Sequence, residues 1–519
     1  MLLKKNKIFK YLILSFIIIL CFKVDYRFKE ILPGGSQDDS SYYYHAQTIA
    51  VDFDLDYNNQ LNGNLKDAFL KEGNKPVPRQ SFGPGLLSAP FILISNQLSK
   101  YLSFNSNTSL NYYIYSLSAP FYLFLSLVML KKLLRTNNQS ESEKLILLTL
   151  GSGITYYAFE RFSMSTVYEF FSVTLILYLV NKIYISSDKQ TSLYIFLLPI
   201  VQFIMLMNRW NNLHLFIIPI LYGYLFKESL MSIFKSSYFY LGNLVGAILF
   251  LIHTKLLYGI YTFSQQSIYP SSDWVVNERL QNFLELENLI ENIFLSLKYL
   301  LITCFSPEFG IFYFSAIVFS SFYFLFRYLL NKKFYEFFFL AIFYIIPFLP
   351  ILIFENHGTS YGFRYLFTLI PINLVIYFME FKNHKYLTRY LIIFSIFGLT
   401  SQLFFESTNL TSLSEDTILN SFNSYSPYSN PTYLFGLFSS FLVLSAYLKI
   451  IFTSFLGVIV IKLINIFLNF EILLNEFYLV DDQLSTLLNS IASFSWSLLI
   501  ITVTLILLSS RSLLDKTYD

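Results

Sequence analysis

Apolar runs long enough to cross a bilayer recur from the N-terminal IFKYLILSFIIILCF to the last thirty or so residues, and nothing constrains the fold more. A helix closes all its backbone hydrogen bonds within itself, so a chain built of such runs is a bundle of spanning helices. Charged residues make up 13% of the 519, against about 25% in a soluble domain, while 58 Phe and 41 Tyr supply bulk. The expected fold is an all-α polytopic membrane protein. Two cysteines, Cys21 and Cys304, are too few for a disulfide framework and lack metal-ligand spacing. The net charge of +3 says little, because in a membrane the placement of charge outweighs its sum.

The N-terminus has a basic start and an apolar run but no clear small-x-small cleavage site after Cys21, so it reads as an uncleaved first span with its basic end in the cytoplasm. Further span cores fall near 112–134, 144–159, 166–185, 191–208, 212–227, 238–257, 309–330, 335–354, 365–381, 387–405, 432–449, 450–470 and 489–510. With the first, this gives about 13–14 transmembrane helices. Phe82–Leu102 is apolar enough to tempt a span assignment. Were it to cross, Lys131, Lys132 and Arg135 would fall outside; laid on the outer interface, it leaves them inside, as the positive-inside rule prefers. Its Gly83, Pro84, Gly85 and Pro90 also suit a bent interfacial helix. This topology places roughly 22 Lys/Arg and roughly 8 Asp/Glu inside, and both termini in the cytoplasm.

The first outer loop, 23–111, is unusually long, and a long ordered connection is usually functional. It opens with Asp38 and Asp39, followed by a short amphipathic helix candidate over Tyr42–Val51, a polar turn carrying Asp52, Asp54 and Asp56, and a loop from Gly63 to Gln80 that contains Lys75 and Arg79. Leu289–Phe305 is amphipathic and reads as a second interfacial helix. A close acidic pair where a span leaves the membrane suits a general base for an incoming hydroxyl. It equally suits a solvated loop, or a cap for a helix beginning near Ser40.

Arg209 lies between two apolar runs, and Arg364 sits where an outer loop re-enters the bilayer; His253 and Lys255 close the seventh span. Unpaired cations at such depths are costly, so they tend to be paired or functional, with snorkelling to headgroups as the bland alternative. A lipid phosphate is a natural partner for a planar guanidinium. His214 and His384 read as incidental. There is no Walker-type loop, H-E-x-x-H, G-x-S-x-G or C-x-x-C, which leaves a nucleotide-driven pump or membrane metalloprotease unsupported.

Four stretches resemble the GT-C superfamily of membrane glycosyltransferases, in particular bacterial relatives of the dolichyl-phosphate-mannose–protein mannosyltransferases and the lipid A aminoarabinose transferases. They are DDSSYYYHA from Asp38 with its acidic turn, RQSFGPGLLSAP from Arg79, SPEFG from Ser306 and SYGFRYL from Ser360. The second acidic residue is Asp39 where the family has Glu. The resemblance implies a GT-C-like catalytic module over 1–405, leaving 406–519 as an outer loop and C-terminal helices of unknown role. It further implies transfer of a hexosyl or pentosyl unit from a polyprenyl-phosphate sugar to a glycan, lipid or protein hydroxyl at the outer face of the cell (inner) membrane. Asp38, with Asp39, would be catalytic, and inversion would result. Lys75, Arg79, Arg209, Arg364 and His357 would bind phosphate or substrate, and Tyr42 and Tyr361 would stack on the sugar. No cofactor is required by that chemistry, a divalent metal is left open, and no nucleic-acid partner is expected. A glycolipid flippase or a polysaccharide polymerase or ligase is the alternative; polymerases and ligases usually carry their large outer loop later in the chain.

Overall fold

The computed structural model describes residues 37–61, 68–71, 75–102, 114–136, 139–159, 161–185, 188–226, 231–263, 310–354 and 363–401, with isolated helical residues between 292 and 304. The first span, the 406–519 segment, most of Leu289–Phe305, Ser306–Phe309, His357 and Tyr361 lie outside the described residues.

The elements run in chain order as α1 (Gln37–Gln47), continued by a π-helical turn Thr48–Asp52, then α2 (Asn58–Leu61), β1 (Ala68–Lys71), β2 (Lys75–Pro78) and α3 (Phe82–Leu102). They continue with α4 (Ser118–Leu133), α5 (Gln139–Thr149), a π turn Leu150–Ile154, α6 (Thr155–Phe159), α7 (Ser165–Ile185) and α8 (Asp188–Asn208). A 3₁₀ turn Trp210–Ile217 leads into α9 (Ile218–Phe226), followed by α10 (Met231–Phe234), α11 (Ser237–Tyr258), α12 (Ile311–Phe314), α13 (Ala316–Leu330) and α14 (Phe334–Phe354). A 3₁₀ turn Arg364–Leu369, α15 (Ile370–Ile376), a π turn Tyr377–Phe381 and α16 (Lys385–Ser401) complete the described chain.

Five helices among the described residues are long and apolar enough to span a membrane: Ile114–Leu133, Ser165–Ile185, Thr191–Asn208, Ser237–Tyr258 and Arg364–Phe381. Asn212–Leu225, Ala316–Leu330 and Phe334–Leu349 are shorter apolar helices. Ser165–Ile185 and Arg364–Phe381 are each 78% buried and form the centre, while Ser237–Tyr258, at 33%, is peripheral. α11 runs alongside α8 in the same direction, Gly242 lying on Phe196 and Gly246 on Phe203.

Buried polar groups in such a bundle must be satisfied internally. Asn373 does this for three helices: its Nδ2 donates to the Ile317 carbonyl and to Ser321 Oγ, both at 2.8 Å, and its Oδ1 accepts from the Tyr344 hydroxyl at 2.6 Å. α5 and α6 are separated where Gly153 turns to φ 92°. Next to that break Gly151 lies against the Ser395 carbonyl and Gly398 against the Gly151 carbonyl, so the two backbones cross without side chains between them. Gly151→Ala would drive a Cβ into the Ser395 backbone. It is expected to cost about 1–3 kcal/mol, read as a lower midpoint of thermal unfolding in detergent. A wild-type midpoint would show that this crossing is loose.

Three expectations change. Asp38 and Asp39 lie within α1 rather than ahead of a helix starting near Ser40. α1 is also not an amphipathic surface helix, because Asp39, Ser41, Tyr42, Tyr43, His45 and Ala46 bury it on most of its circumference. Within the 63–80 segment, read as loop, Ala68–Lys71 and Lys75–Pro78 pair as antiparallel strands. Its register pairs Phe69 with Val77 and Lys71 with Lys75, and sets Pro76 and Pro78 opposite Leu70 and Ala68. α3 has one buried face, with Ala89, Ile92 and Ser95, and an exposed apolar one with Leu93, Ile94 and Leu98.

Candidate functional site

α1 carries the acidic pair, and the structure gives Asp39 a fixed role. Its side chain is fully buried, with Oδ2 accepting from Arg161 Nη2 and Oδ1 from Ser163 Oγ, both at 2.5 Å. Both carboxylate oxygens are therefore engaged, as a charge taken out of water requires. Asp38 is the preceding residue of the same helix turn; its carboxylate lies outside the described side chains.

Arg161 opens the turn between α6 and α7. Its N–H donates to the Tyr156 carbonyl at 3.0 Å, and Met164 N–H donates back to Arg161 at 3.1 Å. At the end of this turn Ser165 Oγ accepts from Arg209 Nη2 at 2.9 Å. One helical turn further along α7, the buried Glu169 pairs with Arg209 Nη1 at 3.2 Å. Arg209 itself is extended (φ −166°, ψ 132°) between α8 and the following 3₁₀ turn, which aims it across the helix ends.

Arg364 completes the group. The backbone of Phe363, buried at 1% exposure, is left-handed (φ 55°), a conformation that costs a non-glycine residue on the order of 1–3 kcal/mol and starts the Arg364 turn at that point. Arg364 Nη1 lies 2.8 Å from Met164 Sδ. Its guanidinium sits 5.2 Å from the centre of the Tyr365 ring, and Arg209 sits 4.9 Å from the same ring. Two cations on one aromatic ring gain from its quadrupole while repelling each other. Arg364 lies near both Arg161 and Arg209.

The Arg79 segment borders this group. Ser81 Oγ donates to the Asn208 carbonyl at 2.5 Å, immediately before Arg209, and Arg79 itself is half-buried. Gly83 is pressed against Asn208, and Gly85 against His45 and the Tyr42 carbonyl of α1. A Cβ at either position would strike backbone, which is why the F-G-P-G start of α3 needs its glycines. Tyr42, 2% exposed, packs in the core near Arg209.

Lys75 does not join the buried arginines. It is exposed and pairs with Asp56 at 3.5 Å. In the acidic turn, Asp52 accepts from Asn59 (3.1 Å) and from Gln60, Asp54 accepts from the Asp56 N–H (3.1 Å), and Asp56 accepts from the Asn58 N–H and side chain. The Asn58 backbone N–H, helped by Lys75, holds the Asp56 carboxyl below its usual range. No group of three His, Cys, Asp or Glu able to hold a metal occurs among the described residues.

His45 ties Tyr57 and Gln80 to α1. Nε2–H donates to the Gln80 carbonyl at 3.0 Å, which leaves Nδ1 to accept from the Tyr57 hydroxyl at 2.8 Å. Tyr57 and Phe82 both meet the ring edge-on, and Phe82 also contacts His253. Burial pushes the imidazole down to about 4. The folded state therefore holds His45 neutral, a contribution complete above about pH 6.5 and lost as pH falls toward 4. Lowering pH across that window is expected to cost on the order of 3 kcal/mol, and His45→Gln to flatten the dependence. Thermal midpoints at pH 7.5 and 4.5 check this; equal slopes in both proteins would remove His45 as the cause.

Among the other singled-out residues, His214 packs on Phe343 and Lys255 caps α11 through the Gly259 carbonyl. His384 bonds Tyr323 at 3.1 Å near the opposite end of the bundle, where Lys333–Glu380 and Lys382–Glu141 also pair.

Arg161, Ser163, Glu169 and Tyr365 were not among the residues expected from sequence. Glu169 was the accessible one, since a carboxylate a few residues into an apolar run is a functional signal by default. No known protein family, curated protein or solved structure matches the chain.

Proposed function

We propose that this protein is an integral-membrane glycosyltransferase that moves a sugar from a polyprenyl-phosphate carrier to an acceptor hydroxyl. The observation that carries the reading is the convergence, at one end of a membrane-type bundle, of Asp39 on α1 and Glu169 with Arg161, Arg209 and Arg364. The four sequence stretches that resemble GT-C enzymes also support it, two of them by supplying Asp39 and Arg364 to this group.

In this scheme the carrier phosphate lies against Arg364 and Arg209, with Arg79 at the rim, and its lipid enters from the bilayer. Asp38 accepts the proton of the acceptor hydroxyl as that oxygen attacks the anomeric carbon. The bond from that carbon to the phosphate oxygen breaks on the opposite face, and its electron pair leaves with the phosphate, inverting the configuration. Preorganised guanidiniums stabilise the charge that develops there. Asp39, saturated by Arg161 and Ser163, holds α1 rather than moving a proton. The reading sets this end at the outer face of the cell membrane in a chain of about 13–14 spans, which the positive-inside distribution supports. The acidic turn with Lys75 lies beside the acceptor's entry.

Purified protein in proteoliposomes, given polyprenyl phosphates carrying labelled hexoses or pentoses and a membrane extract as acceptor, should release free polyprenyl phosphate and label an acceptor. Movement of intact lipid-linked sugar across the bilayer without bond cleavage would instead make it a flippase.

A further inference from the structure

The turn between α6 and α7 reaches a different part of the site with nearly every residue. Arg161 and Ser163 take the two oxygens of Asp39 on α1. Met164 Sδ accepts from Arg364, and Ser165 Oγ from Arg209. Phe162 packs edge-on against Tyr115, which in turn meets Tyr43 of α1. Arg161, Phe162, Ser163, Met164 and Ser165 are all buried. The contacts to Asp39 span 122 and 124 residues of sequence, and that to Arg364 spans 200.

We propose that Arg161–Ser165 is the positioning element of the site, setting the register between the acidic turn of α1 and the two guanidiniums stacked on Tyr365. Arg161 and Ser163 act on α1. Holding Asp39 fixes the rotation of that helix about its axis, and with it the direction in which Asp38 leaves the backbone. Met164 and Ser165 act on Arg364 and Arg209. One rigid turn thus serves both halves of the reaction, and each half is adjustable through a different residue. The kinetic part rests on the transferase reading; the mechanical tie does not.

The test has two arms on the full chain in detergent or proteoliposomes. In the first, Asp39→Asn, Arg161→Gln and the double variant are compared by thermal unfolding. The tie predicts that the double variant melts above Arg161→Gln alone, because it no longer buries an unpaired carboxylate. Additive losses would overturn the proposal. In the second arm, Ser163→Ala is expected to lower kcat by about tenfold to a hundredfold at unchanged KM for the lipid donor, since a displacement of about 1 Å suffices for that. Met164→Leu is expected to raise that KM by about tenfold at unchanged kcat, the size of one charge-assisted contact. The same change in both parameters for both variants would reduce the turn to a structural tie and overturn its positioning role. A wild type that turns over no sugar and binds no polyprenyl phosphate sinks the transferase reading, while the melts still decide whether the turn ties α1 to α7.

Discussion

Asp38→Asn is expected to lose sugar transfer by on the order of a hundredfold to ten-thousandfold, the range of a missing general base, while the protein inserts and melts as the wild type does. The exchange keeps the shape of the side chain and removes its ability to take a proton. The neighbouring substitution gives the contrast. Asp39→Asn strips the charge facing Arg161 and Ser163 and so should reduce stability as well as turnover. The two are separated by measuring transfer per folded molecule, with folding read from the unfolding midpoint. Undiminished transfer by Asp38→Asn would take that residue out of the chemistry and leave the arginines as an anion site without a base.

Glu169→Leu is expected to remove about 3–5 kcal/mol of stability, because it leaves Arg209 at the bundle interior without its carboxylate. Ser165 and the Tyr365 ring still face the guanidinium, but neither carries charge. Adding Arg209→Met to Glu169→Leu should recover much of the loss, since an apolar pair of similar volume needs no solvation. The recovered protein should nonetheless fail to hold polyprenyl phosphate, since the cation that the proposal assigns to it is gone. Unfolding midpoints in detergent decide the first half, and binding of polyprenyl phosphate the second. A Glu169→Leu protein that melts at the wild-type temperature would mean that Arg209 reaches water in the folded state.

The bundle was largely legible in the chain, because an apolar run announces its own ends. The cores read at 166–185, 191–208 and 238–257 lie within a residue of Ser165–Ile185, Thr191–Asn208 and Ser237–Tyr258. What the pattern could not show is who meets whom. Arg209 and Arg364 stood out by depth, yet nothing local to either reveals that they share Tyr365. Nothing near Asp39 in the chain shows that its carboxylate is taken up by Arg161, 122 residues away. Lys75, read with the arginines as a phosphate ligand, pairs with Asp56 of the acidic turn. The hairpin itself was hidden by Pro76 and Pro78, since proline usually argues against a strand.

Those two imino acids also decide how the hairpin can be joined. Set opposite Leu70 and Ala68, they alternate with the residues that bond β1, so on its far side β2 has no N–H to offer there. A segment of another polypeptide seeking to lengthen this ribbon at β2 meets no donor at either position. Strand addition along the β2 flank is thereby blocked at both prolines.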